Sequence, residues 1–94
     1  MEYTFPATIV KHEHIIRNGE ELLSKVIYSN GDTWQFEYNE HNLKTKEIYP
    51  SGDIMEWEYN EKGLMTKRIY PNGNYLQFEY DDQGLITEKS YHEL

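Results

Sequence analysis

Three groups of side chains are of the kinds that do chemistry, and their spacing decides what each could do. Glu56 and Glu58 lie two residues apart, as do His12 and His14, so on a strand each pair points to one side. Paired carboxylates could divide acid and base duties or hold a cation, and paired imidazoles could form half of a metal site. The positions equivalent to Glu56 and Glu58 elsewhere in the chain read Gln35/Glu37 and Gln77/Glu79, which is a solvated pattern repeated. His12 and His14 have no third ligand at a metal-binding spacing. Asp81-Asp82 falls in turn sequence, where Asp caps its own backbone, and a Ca²⁺ site needs more oxygens than this pair supplies. The serines lie in turns or at strand ends with no His placed as their base, and there is no cysteine. The sequence therefore reads as non-enzymatic, with no catalytic residue, metal or cofactor.

What positions these side chains is a 21-residue block present three times without a gap, from Tyr28, Tyr49 and Tyr70, giving repeats 28–48, 49–69 and 70–90. A period of this size marks an array whose units cannot bury an apolar face alone. Apolar residues alternate, as in Trp34-Gln35-Phe36-Glu37-Tyr38, which is the period of a strand. Residues 1–27 read as a degenerate N-terminal copy. Leu22, Lys25 and Ile27 align with Leu43, Lys46 and Ile48, and Arg17-Asn18-Gly19-Glu20 occupies the first corner. Pro6 suits an edge strand. The expected fold is all-β: one domain, a single-layer up-and-down antiparallel meander of about eight strands.

Two kinds of corner join the strands. Asn30-Gly31, Ser51-Gly52 and Asn72-Gly73 read as two-residue type I′ turns, with Pro50 and Pro71 just ahead of two of them. Asn39 to Asn42, Asn60 to Gly63 and Asp81 to Gly84 read as type I turns closed by a left-handed residue in a G1 bulge. With these corners Tyr38 is expected to face Lys44, Phe36 to face Lys46, and Trp34 to face Ile48. Beyond the next corner Ile48 faces Met55 and Lys46 faces Trp57, so each residue advances by the repeat length.

One face then carries Trp34, Phe36, Tyr38, Met55, Trp57, Tyr59, Leu76, Phe78 and Tyr80, with Lys46 and Lys67 laid beside the rings. It is the expected core or self-association face, because so large an apolar patch needs cover. Two chains stacked about a twofold axis would supply it, giving a homodimer; a sheet curled on itself, or a partner lying over the face, are the other solutions. The opposite face is expected to be wet and acidic, carrying Glu37, Glu47, Glu56, Glu58 and Glu79 with Tyr49 and Tyr70 beside them.

The runs Glu58-Tyr59-Asn60-Glu61-Lys62-Gly63-Leu64-Met65-Thr66 and Glu79-Tyr80-Asp81-Asp82-Gln83-Gly84-Leu85-Ile86-Thr87, with Glu37 to Leu43 before them, resemble the YD repeat of the Rhs family. Asn stands for Asp in two copies, and the Arg that follows glycine in that motif is absent. The resemblance implies a sheet of wound hairpins. In long members such sheets form shells around toxin domains, but this chain has no toxin segment. The Tyr-Pro-Asn-Gly run is similar, more weakly, to MORN repeats, another hairpin array used for protein or lipid contact.

The net charge of −8 excludes direct binding to nucleic acid or an anionic membrane and favours a partner with a basic surface. No stretch approaches the length of a membrane span, and the N-terminus lacks a secretory pattern, so the chain reads as soluble and cytoplasmic. The expected role is a protein-binding module, of the small acidic inhibitor kind found in phage anti-defence and immunity systems, its carboxylate rows imitating a phosphate ladder. The alternatives are a carbohydrate- or small-ligand-binding module built on its tyrosines, and a free-standing structural fragment of a YD-repeat protein.

Overall fold

The computed structural model describes residues 7–94, so the Pro6 position lies outside the described residues. The strands are β1 (Ile9–Arg17), β2 (Glu20–Tyr28), β3 (Thr33–Tyr38), β4 (Lys44–Ile48), β5 (Ile54–Tyr59), β6 (Met65–Ile69), β7 (Tyr75–Tyr80) and β8 (Ile86–His92). They form one antiparallel sheet in chain order, with each strand hydrogen-bonded to the next. The described residues contain no helix, and none is therefore long and apolar enough to cross a membrane. The sheet is an open slab, 57 × 37 × 17 Å.

The corners differ from expectation in an informative way. At Tyr49 to Asp53 the Tyr49 N–H donates to the Asp53 carbonyl (2.9 Å) and the Gly52 N–H to the Tyr49 carbonyl (2.8 Å). This is the same hydrogen-bond pattern as at Asn60 to Leu64. Gly52 is left-handed at φ 91°, while Asn30, Ser51 and Asn72 are not among the residues with positive φ. All the repeat corners are thus type I turns closed by one left-handed residue, because a type I′ turn would force a second residue into that region. Pro50 and Pro71 sit at the second turn position, whose φ proline presets. The type I′ corner is the one at Asn18-Gly19, where both residues are left-handed (φ 53° and 76°) and Arg17 pairs with Glu20.

A further bulge alters the register. Tyr38 does face Lys44, but the ladder then skips Thr45, so Glu37 faces Lys46 and Phe36 faces Glu47. Glu47 in turn faces Met55 and Ile48 faces Ile54. Phe36 therefore lines up with Met55, two residues short of its equivalent Trp57, and the array is sheared by two residues per hairpin. An even shear keeps β3, β5 and β7 facing as expected, but the one-residue slip turns β4, β6 and β8 over.

Packing is thin. Val26 (4% exposed) and Phe36 (9%) are the buried hydrophobic residues, and Glu47 (8%) is the buried charge. Full burial of one such side chain contributes about 1.5–3 kcal/mol, so the slab leans heavily on its ladders and corners. Each corner is satisfied locally: the Asn60 Oδ1 accepts from the Lys62 and Leu64 N–H groups (2.9 and 3.0 Å), and Asn39 and Asp81 do the same. One acceptor oxygen suffices, which is why Asn and Asp interchange here. The N-terminal hairpin is stapled to the first repeat by Arg17 Nη1 donating to the Tyr38 and Asn39 carbonyls and Asn42 Nδ2 donating to the Arg17 carbonyl. That last bond gives Asn42 a task glycine could not perform.

Candidate functional site

The tyrosine of each repeat closes a gap that the bulge opens. The β4–β5 ladder ends at Lys46 and Glu56, leaving the Lys44 carbonyl without a strand partner on that side. The Tyr59 hydroxyl donates to it at 2.6 Å. Tyr38 donates to the Leu23 carbonyl at 2.7 Å, and Tyr80 to the Met65 carbonyl. Burial pushes the Tyr38 and Tyr59 phenols above their ordinary range, with the Glu47 charge adding to the rise at Tyr38. These tyrosines are structural pins.

The residues assigned to the apolar face do share it: Trp34, Phe36, Tyr38, Met55, Trp57, Tyr59, Leu76, Phe78 and Tyr80 alternate inward on β3, β5 and β7. Apart from Phe36 they remain only half-buried. Lys46 and Lys67, expected beside the rings, are on the other side. Glu47, expected on the wet face, lies among the aromatics and accepts from Trp34 Nε1 (2.9 Å) and Lys44 Nζ (3.2 Å). Lys44 stands over the Phe36 ring at 5.0 Å, so its charge is shared between a carboxylate and a ring face. Tyr49 also belongs here, stacked on Trp34 at 5.8 Å, and Tyr70 joins Tyr91 at 6.4 Å. Burial raises the Tyr49 phenol, Glu47 raises it further, and Arg68 opposes. The slip explains all of these displacements.

It also brings onto this face residues that strict alternation would place on the other. Val26, Glu47, Arg68 and Lys89 occupy one repeat position, and on this face Arg68 faces Trp57 and Leu76 while Lys89 faces Phe78. Comparing that column across repeats would have exposed it as the least regular on the sheet.

Glu37, Glu56, Glu58 and Glu79 lie on the opposite face as expected, but lysines are threaded between them. Lys46 faces both Glu37 and Glu56, 3.8 Å from the Glu56 carboxylate, and Lys67 faces Glu58. Lys67 also caps the Tyr75 ring at 4.5 Å. The face carries mixed charge. The corners are mainly acidic: Glu40, Glu61, Asp81 and Asp82 with Lys62 among them at one end of the hairpins, Asp32 and Asp53 at the other.

The His12 and His14 rings meet edge to face at 6.3 Å, and His14 Nδ1 lies 3.8 Å from Glu21. Among the described residues no three His, Asp or Glu side chains converge as a metal site. An open groove of about 790 Å³ runs between the Asn60 and Asp81 corners, walled by Tyr59, Lys62, Phe78 and Asp82. Two of its polar groups are engaged locally, Lys62 Nζ donating to the Asp82 carbonyl at 3.3 Å and Asp81 capping its own turn.

An open sheet of repeated hairpins, pinned by one tyrosine per unit, defines a repeat-built structural or binding unit. Residues 57–91 match the family model of the RHS Repeat, which supports a YD/Rhs repeat in that segment. The same tyrosine pin and acceptor-capped corner recur upstream at Tyr38-Asn39. No curated protein matches the chain.

Proposed function

We propose that this chain is a non-enzymatic protein-binding module whose aromatic face docks on an apolar patch of another protein. The observation that carries the reading is the slab itself: one layer thick, with Trp34, Trp57, Met55, Leu76 and Phe78 on one continuous face and nothing among the described residues packed over them. A patch of this kind on an isolated domain is characteristic of an interaction surface. The acidic corners form a rim, and the overall charge of −8 favours basic side chains around the partner's patch. Lys46 and Lys67 interrupt the carboxylate rows, which removes the geometric basis for a phosphate-ladder mimic; a basic partner rests on net charge and rim alone.

The test is capture of a partner followed by binding kinetics. Trp57→Ala and Phe78→Ala should each raise the dissociation rate at least tenfold, as central aromatic anchors do. Added salt should slow association and leave dissociation nearly unchanged. A captured complex indifferent to both substitutions would remove the reading.

A further inference from the structure

The ladders pair charges with care until the last strand. Glu13 faces Lys25, Glu37 faces Lys46, Lys46 faces Glu56 and Glu58 faces Lys67. At the equivalent position in the last repeat the lysine is replaced, and Glu79 faces Glu88. This is the one like-charge pair directly opposed among the described residues, and such a pair is destabilising unless a cation lies alongside. Glu88 is on β8, an edge strand of the sheet.

That edge is unusually open. Tyr49 and Tyr70 lead into Pro-Ser-Gly and Pro-Asn-Gly corners, but Tyr91 is followed by His92-Glu93-Leu94, so β8 runs on to His92. Its pairing with β7 is uninterrupted from Glu88 to His92. Asn74 Nδ2 donating to the Tyr91 hydroxyl (2.9 Å) and the stacking of His92 on Tyr75 (4.6 Å) hold this extension straight. The other edge, β1, is broken by register shifts at Ile9/Lys11 and Glu13/His14, which blunt it against pairing.

We propose that β8 pairs antiparallel with β8 of a second copy, about a twofold axis through Ser90. This register sets no like charges opposite one another. Glu88 meets His92 of the second copy on the charged face, where an imidazole N–H can donate to the carboxylate in the lysine's stead. Lys89 meets Tyr91 of the second copy on the aromatic face. A register centred on Lys89 would oppose two lysines, and one centred on Glu88 two glutamates. The twofold closes, so the product is a dimer with one continuous sheet and both aromatic faces on the same side.

The natural chain has no cysteine, which makes the test direct. Directly opposed strand residues have Cα atoms about 4.5–5.5 Å apart, within disulfide reach. Ser90→Cys should give a covalent dimer under mild oxidation, while Met55→Cys, in the middle of the aromatic face, should stay monomeric on a denaturing gel. Light scattering of the unmodified chain should show a reversible dimer. Glu88→Lys separates pairing from folding: facing Glu79 it should raise the thermal midpoint, yet weaken dimerisation by roughly fivefold, since the twofold counts the lost pair twice. A monomer at all concentrations, cross-linking by the Met55→Cys variant in place of the Ser90→Cys variant, or a dimer that Glu88→Lys leaves unchanged would overturn the proposal.

Discussion

At the scale of single residues, the repeat is a set of small hydrogen-bonding repairs. The type I corners and the bulge at Thr45 free backbone groups that a regular ladder would have used, and Asn60, Tyr59 and their equivalents take them up. Tyr59→Phe leaves the Lys44 carbonyl without that donor and should cost about 1 kcal/mol. In a domain of this size, that is a fall of about 4–8 °C in the melting midpoint followed by circular dichroism. Asn60→Asp keeps the acceptor and should melt close to the natural chain. The raised phenols of Tyr38 and Tyr59 make a second prediction. Folding holds them protonated above the pH at which the unfolded chain ionises, so their contribution is intact below about pH 10 and disappears as pH rises through the folded-state values. Loss of sheet signal should therefore track phenolate absorbance in an alkaline titration. Unfolding completed well below about pH 9 would contradict the assignment.

At the scale of elements, the bulge decides which residues meet. It places Glu47 beneath Trp34 and Lys44, and it places Lys46 between Glu37 and Glu56. Glu47→Ala should therefore cost about 1–3 kcal/mol, by leaving the indole N–H without its partner and Lys44 without its carboxylate. Lys46→Ala, on the exposed ladder, should cost no more than about 1 kcal/mol. Paired denaturant titrations measure both. If the ladder had the register without the extra bulge, the ranking would reverse, because Lys46 would be the residue among the rings.

At the scale of the whole molecule, a single layer buries little apolar surface. Heat capacity change on unfolding follows apolar exposure, and an ordinary domain of this length shows roughly 1.1–1.4 kcal/mol/K. Calorimetry of the dilute chain should give a value clearly below that range. A value within it at low concentration would mean that the aromatic face is covered in solution, by stacking or curling.

The alternation, the 21-residue period and the glycine corners are local properties, so the eight-strand all-β meander and the membership of Trp34, Phe36, Trp57 and Phe78 in one face were legible in the residues alone. Pro50 and Pro71 even marked the true turn type, though the Ser-Gly and Asn-Gly pairs beside them argued for another. What only the tertiary structure decided was the facing of β4, β6 and β8, and with it the homes of Glu47, Tyr49, Tyr70, Lys46, Arg68 and Lys89. The physical reason is that a bulge depends on the neighbouring strand. Thr45 is skipped where β4 pairs with β3, and Tyr59, fifteen residues away in sequence from Lys44, then donates to the Lys44 carbonyl that the bulge leaves behind. A slip of one residue carries no mark in a strand's own composition, yet it turns every side chain beyond it on that strand to the other side.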